Sequence, residues 1–110
     1  MKDVNASEFK ELINRNIVTI VDFAAMAWCR PCQAMVPILE QMSDEIKDLA
    51  EIVKIEIDVE ENKDILAQYN VRSVPTFIFF KDGEEVKRVN GMMTKKQIID
   101  AVTVLTDDEF

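Results

Sequence analysis

Residues 17–23 read Ile17-Val18-Thr19-Ile20-Val21-Asp22-Phe23. The stretch from Ile17 to Val21 is apolar without a polar-apolar alternation, which is the pattern of a central strand covered on both faces. A chain that must bury both sides of a strand needs helices above and below it. The flanking sequence supplies them. Asn5 with Glu8 three residues later makes a capping-box pattern ahead of Phe9, Leu12 and Ile13, predicting a first helix over Ser7–Asn14. Met35, Ile38, Leu39, Met42, Ile46 and Leu49 repeat at helical spacing in a longer second helix, with a kink expected at Pro37 where an amide donor is missing.

Farther on, Ile52–Asp58 reads as a second inner strand, with Val53, Ile55 and Ile57 on one face and Lys54 and Glu56 on the other. A short helix using Ile65, Leu66 and Tyr69 follows. The strands Thr76–Phe80 and Glu85–Val89 flank Lys81-Asp82-Gly83-Glu84, and an Asp-Gly pair between apolar runs signals a hairpin. Thr94 with Gln97 caps a last helix through Ile98, Ile99, Val102 and Leu105. The sum is an α/β fold: a central mixed sheet flanked by helices on both faces, ending in an antiparallel hairpin and a C-terminal helix. The first βαβ unit is expected to cross over right-handedly.

Chemistry enters at Trp28-Cys29-Arg30-Pro31-Cys32, just after the central strand, where the chain's two cysteines stand three residues apart. On a helix, positions i and i+3 lie on one face about 5–6 Å apart, within the span of a disulfide. A zinc site wants four soft ligands, and the chain has no other cysteine and no histidine. A purely structural bridge is a poor reading too, because so short a loop removes little entropy from the unfolded chain. A reversible dithiol remains. Cys29 falls at the start of the second helix, where unpaired amides and the helix dipole favour an anion, so Cys29 is expected to be the nucleophile.

Composition bounds the rest. With 110 residues and 48% hydrophobic content, the chain holds one core, and a single domain over 1–110 is expected. The first residues are polar rather than signal-like, and no run approaches the roughly 18 apolar residues that span a bilayer, so neither export nor membrane attachment is expected. The cytoplasm is the expected compartment; there an oxidisable pair is catalytic more often than structural. The net charge of −8, from 13 Lys and Arg against 21 Asp and Glu, argues against nucleic acid as a partner. The acids are dispersed, apart from a small cluster at Asp107-Asp108-Glu109, and read as a solubility feature.

From about Asn5 to Leu105 the chain closely resembles the thioredoxin family. The resemblance is carried by Val21-Asp22-Phe23, Trp28-Cys29-x-Pro31-Cys32, Pro37, Lys54-Ile55-Glu56-Ile57-Asp58, Val74-Pro75-Thr76, Lys81-Asp82-Gly83 and Gly91, in this order and spacing. It implies a protein-disulfide reductase in which Cys29 attacks a substrate disulfide and Cys32 resolves the mixed disulfide, with Cys29–Cys32 as the closed form. Cys29 is then expected to be partly exposed and Cys32 buried. Asp22 matches the family's buried acid, which takes a proton from the second cysteine through water, and Lys54 its basic neighbour. Burial is expected to raise the pKa of Asp22 and Lys54 to oppose the rise.

By the same resemblance Pro75 is the family's cis-proline. Trp28, Val74, Pro75, Gly91 and Met92 form an apolar surface where an extended peptide docks through backbone hydrogen bonds. Met93 reads equally well as a core residue. The implied partners are disulfide-containing proteins and a flavin-dependent thioredoxin reductase that recharges the dithiol, with no cofactor bound to this chain itself, which works as a monomer. Four departures stand against the pattern. Arg30 replaces a glycine between the cysteines; its charge favours the thiolate by about 0.5 kcal/mol after screening, a shift on the order of 10 mV toward oxidising. From Asp22 to Cys29 there is one residue more than usual, so the loop is expected to bulge. Ala24 stands where an aromatic is frequent, and Ser73 and Asn90 make the docking rim more polar. The altered loop and Arg30 also suit a binding module on the same fold with little turnover, and an oxidant or isomerase would use the same parts at a higher potential.

Overall fold

In the computed structural model, which describes residues 1–106, the apolar run becomes β2 (Val18–Ala24), every residue of which is buried. It is the middle of a five-stranded sheet ordered β1-β3-β2-β4-β5, with β1 at Lys2–Asp3, β3 at Ala50–Glu56, β4 at Thr76–Lys81 and β5 at Glu84–Asn90. β2 runs parallel to β3 and antiparallel to β4, so the sheet is mixed as expected. Asp82 and Gly83, both at positive φ, turn the β4–β5 hairpin; an added Cβ on Gly83 would collide with the Asn14 side chain.

Four helices cover the two faces: α1 (Ala6–Ile13), α2 (Arg30–Glu45), α3 (Lys63–Gln68) and α4 (Lys95–Thr106). Because side chains alternate along a strand, neighbours in β2 and β4 serve opposite cores. Ile20, Phe77 and Phe79 pack with Met35, Leu39 and Met42 of α2 and Ile98 and Val102 of α4. Val21, Ile78 and Phe80 pack with Phe9 and Ile13 of α1 and Ile65 of α3. On that second face Phe9, Tyr69 and Phe80 meet edge to face, with ring centroids 5.2–5.6 Å apart. Such edge-to-face pairs contribute beyond the area they bury.

Several sequence expectations are corrected. The first helix begins at Ala6, because Asn5 is the cap itself, and ends one residue before Asn14. β3 starts at Ala50 and ends at Glu56, two residues ahead of the expected span at both ends, since Ala50 and Glu51 already pair with Val18 and Thr19. Leu49 lies outside α2 and is exposed: the helix stops at Ile46, whose carbonyl accepts the amides of Leu49 and Ala50 and turns the chain into β3. Ile17 precedes β2 and is exposed. Ile99 faces water, the inward stripe of α4 being Ile98, Ala101 and Val102. Pro37 lies in the interior of α2. Met93 is buried in the first core, in agreement with its reading as a core residue. Strand β1 was not anticipated. The acidic cluster at 107–109 lies outside the described residues.

Candidate active site

The chain leaves β2 at Ala24 and re-enters regular structure at Arg30. The extra residue is taken up in a turn: the Ala25 carbonyl accepts the amides of both Trp28 (3.2 Å) and Cys29 (2.8 Å). Cys29 is therefore delivered in extended backbone (φ −89°, ψ 105°) as the N-cap of α2, and its Sγ accepts the Cys32 amide at 3.2 Å. Pro31 falls in the first turn, where an amide would have had no helical partner anyway. Cys29 and Cys32 are joined by a disulfide with their Cα atoms 5.2 Å apart. Arg30 projects into solvent.

Cys32 is fully buried, and Cys29 is only 4% exposed, so the expectation of a partly open first cysteine is corrected for the closed pair. The cause is local packing. Ala24 and Ala25 form one buried cluster with the two cysteines, and Met26, Ile57 and Val74 pack against it.

Asp22 sits on β2, 1% exposed, beside Lys54 of β3 in register. Its carboxyl pKa is pushed up to about 7, chiefly by burial, with Glu56 and Asp3 raising it further and Lys54 pulling it down. One of its oxygens, Oδ1, has no hydrogen-bond partner. Lys54 is largely buried and divides its charge between Asp3 (3.4 Å) and Glu56 (3.5 Å).

Around the pair, the Val74–Pro75 peptide is cis. The Gly91 amide donates to the Pro75 carbonyl at 2.8 Å, tying the segment after β5 to the proline. Gly91 has φ 103°, with open space where a side chain would begin. Trp28 is 60% and Met92 50% exposed, large apolar areas turned to water. The Trp28 indole N–H donates to Asp58 at 2.9 Å, which holds the ring over a groove of about 290 Å³ lined by Ile57, Val71, Arg72 and Val74. Sequence reasoning gave no role to Asp58, nor to Glu56 and Gln33, which hold Met26; all three act across 7 to 30 residues of chain, where no local pattern reports them. Among the described residues no cluster of three His, Cys, Asp or Glu side chains is placed to hold a metal ion.

A dithiol closed at the tip of the helix that follows a central strand is the working part of a protein thiol–disulfide oxidoreductase. Comparison with known proteins gives the same class. The Thioredoxin family model matches residues 1–104. Chloroplastic thioredoxin Y1 of Arabidopsis thaliana is 44% identical over 91 residues, 83% of this chain and 51% of that protein, so the chain spans about half the length of this relative. Thioredoxin of Rickettsia typhi is 37% identical over 101 residues, covering 91% of this chain and 93% of the relative. The X-ray structure of Fasciola hepatica thioredoxin superposes with a TM-score of 0.82 at 34% identity, over 94% of this chain and 98% of that one. The chain belongs to the thioredoxin family, and its Cys29–Cys32 pair is the redox-active dithiol.

Proposed function

We propose that this chain is a general protein-disulfide reductase in which Cys29 attacks, Cys32 resolves and Asp22 takes the proton. The Cys29 thiolate displaces one sulfur of a substrate disulfide, forming a mixed disulfide and releasing one substrate thiolate. Cys32 passes its proton through water to Asp22. The resulting thiolate attacks the Cys29 sulfur, releasing the second substrate thiolate and leaving Cys29–Cys32 oxidised. Two electrons from a flavin-dependent thioredoxin reductase reopen the pair.

The observation that carries this reading is the Cys29 Sγ in the N-cap acceptor position of a 16-residue helix, taking the Cys32 amide. An anion there gains from the amide and the helix dipole, so the thiolate is the favoured form. Asp22 supports it, because an acid with a pKa near 7 can accept and return a proton at physiological pH. The exposed Trp28 and Met92, with Val74, Pro75 and Gly91, suit an extended segment of an unfolded or flexible substrate. A reducing compartment such as the cytoplasm is the setting such a carrier needs, and a monomer suffices for it.

Reduction of insulin disulfides by dithiothreitol, followed by turbidity with and without the protein, tests the proposal. Acceleration by the native chain and none by Cys29→Ser is expected. No acceleration by the native chain would leave the binding-module reading in its place, and equal acceleration by Cys29→Ser would remove Cys29 as nucleophile.

A further inference from the structure

Met26, in the turn that carries one residue more than is usual in the family, is held at both of its backbone polar groups. Its amide donates to Glu56 Oε1 at 3.1 Å, and its carbonyl accepts the Gln33 side-chain amide at 2.8 Å. The turn is therefore bracketed between the end of β3 and the second turn of α2. Glu56 itself is fixed: it pairs in register with Ala24, the last residue of β2, and its own carbonyl accepts from the buried Asn62 at 2.9 Å. Its second oxygen, Oε2, is buried without a hydrogen bond and lies 3.5 Å from Lys54 Nζ.

We propose that Glu56 is a positioning residue for the thiol–disulfide reaction: Oε1 clamps the turn that presents Trp28 and Cys29, while Oε2 draws Lys54 away from Asp22, coupling the placement of the nucleophile to the proton-accepting acid. This rests on the reading of Asp22 as that acid. The charges acting on Asp22 come from Lys54 and Glu56 of β3 and Asp3 of β1. From β4 its register partner is the uncharged Phe77, and the two cysteines at the start of α2 are closed as a disulfide. Of the three charged groups, Glu56 also holds the cysteine-bearing turn, through the Met26 amide. A like charge raises a carboxyl pKa and a freed cation lowers it, so removing the Glu56 charge moves Asp22 in one direction by both routes.

The two functions separate by substitution. Glu56→Gln keeps an acceptor oxygen for the Met26 amide and removes the charge; Glu56→Ala removes both. Two measurements are made on the native chain and on each variant: NMR titration of the Asp22 carboxyl carbon, and kcat and KM for insulin reduction across pH 5–9. For Glu56→Gln the Asp22 titration and the limb of the rate profile it governs are expected to move to lower pH by roughly half a unit, with KM unchanged. For Glu56→Ala the same displacement is expected together with a KM raised several-fold, because the turn beside Trp28 has lost its tether to β3. A Glu56→Gln protein that titrates like the native one, or a Glu56→Ala protein with native KM, overturns the proposal. An Asp22→Asn control tells its failure from that of the underlying reading. If the limb vanishes in Asp22→Asn yet stays put in Glu56→Gln, only the role of Glu56 is lost; if it survives Asp22→Asn, both fall.

Discussion

Asp22 is the residue at which stability and chemistry conflict. The unfolded chain releases this proton near pH 3.8, the folded protein only near pH 7. Between those values the folded state binds more protons than the unfolded state, so stability falls as pH rises from about 4 to about 7 and is flat above. The gap corresponds to about 4 kcal/mol once the acid is fully ionised. Removing the charge at this position is therefore expected to stabilise the protein by on the order of 2–4 kcal/mol at pH 8 and by little at pH 4, the upper bound being reduced by the unmatched amide that asparagine brings. Urea unfolding of the oxidised native and Asp22→Asn proteins at the two pH values measures it. An equal gain at both would mean that burial, not ionisation, sets the cost. The same variant is expected to resolve mixed disulfides more slowly, so the gain in stability is bought with rate.

At the scale of elements, three of the four helices begin in one way. Asn5 Oδ1 accepts the Glu8 amide, Thr94 Oγ1 accepts the Gln97 amide, and Cys29 Sγ accepts the Cys32 amide. In each the acceptor and the amide are three residues apart, so the spacing of the two cysteines is the spacing of an N-cap and its third helical residue. One geometry thus serves helix initiation and disulfide closure. Cys29→Ser keeps an oxygen acceptor at the cap, and its stability is expected to match that of the reduced native protein while turnover is lost. Cys29→Ala, with no acceptor, is expected to be less stable by about 1 kcal/mol. Urea midpoints under reducing conditions test both; an alanine variant as stable as the serine variant would deny the sulfur its capping role. The Asn5 and Thr94 caps were legible in sequence because they are local. The end of α2 was not: Leu49 falls at helical spacing from Ile46, and nothing in that spacing says that the backbone has already turned toward β3.

Across the whole molecule the legible features were those written in short runs: β2 as a continuous apolar stretch, the Asp82-Gly83 hairpin, the helical stripes and the cysteine pair. What escaped depends on partners distant in sequence. β1 is a two-residue Lys-Asp edge strand with no apolar period, recognisable only once Val53 and Lys54 lie beside it. The Glu56 clamp on Met26 spans 30 residues. The same long-range logic joins the two cores. Phe79 faces α2 and α4, and Phe80, the next residue on β4, faces α1 and α3, so one strand is a wall of both. Either face without its large ring loses about 3–5 kcal/mol, a sizeable part of the 5–15 kcal/mol typical of a domain. If the shared sheet makes the molecule one cooperative unit, Phe79→Ala and Phe80→Ala each lower the urea midpoint yet keep a single transition, seen alike by helical circular dichroism and by fluorescence of Trp28. If the faces were separable layers, Phe80→Ala would melt α1 and α3 first, and the Trp28 signal, which reports a groove lined by Ile57, Leu66 and Val71 of that face, would change before the circular dichroism of α2 and α4 was lost. Coincidence of the two curves is the expected result, because β2 and β4 each send alternate side chains into both cores, leaving neither face a backbone of its own.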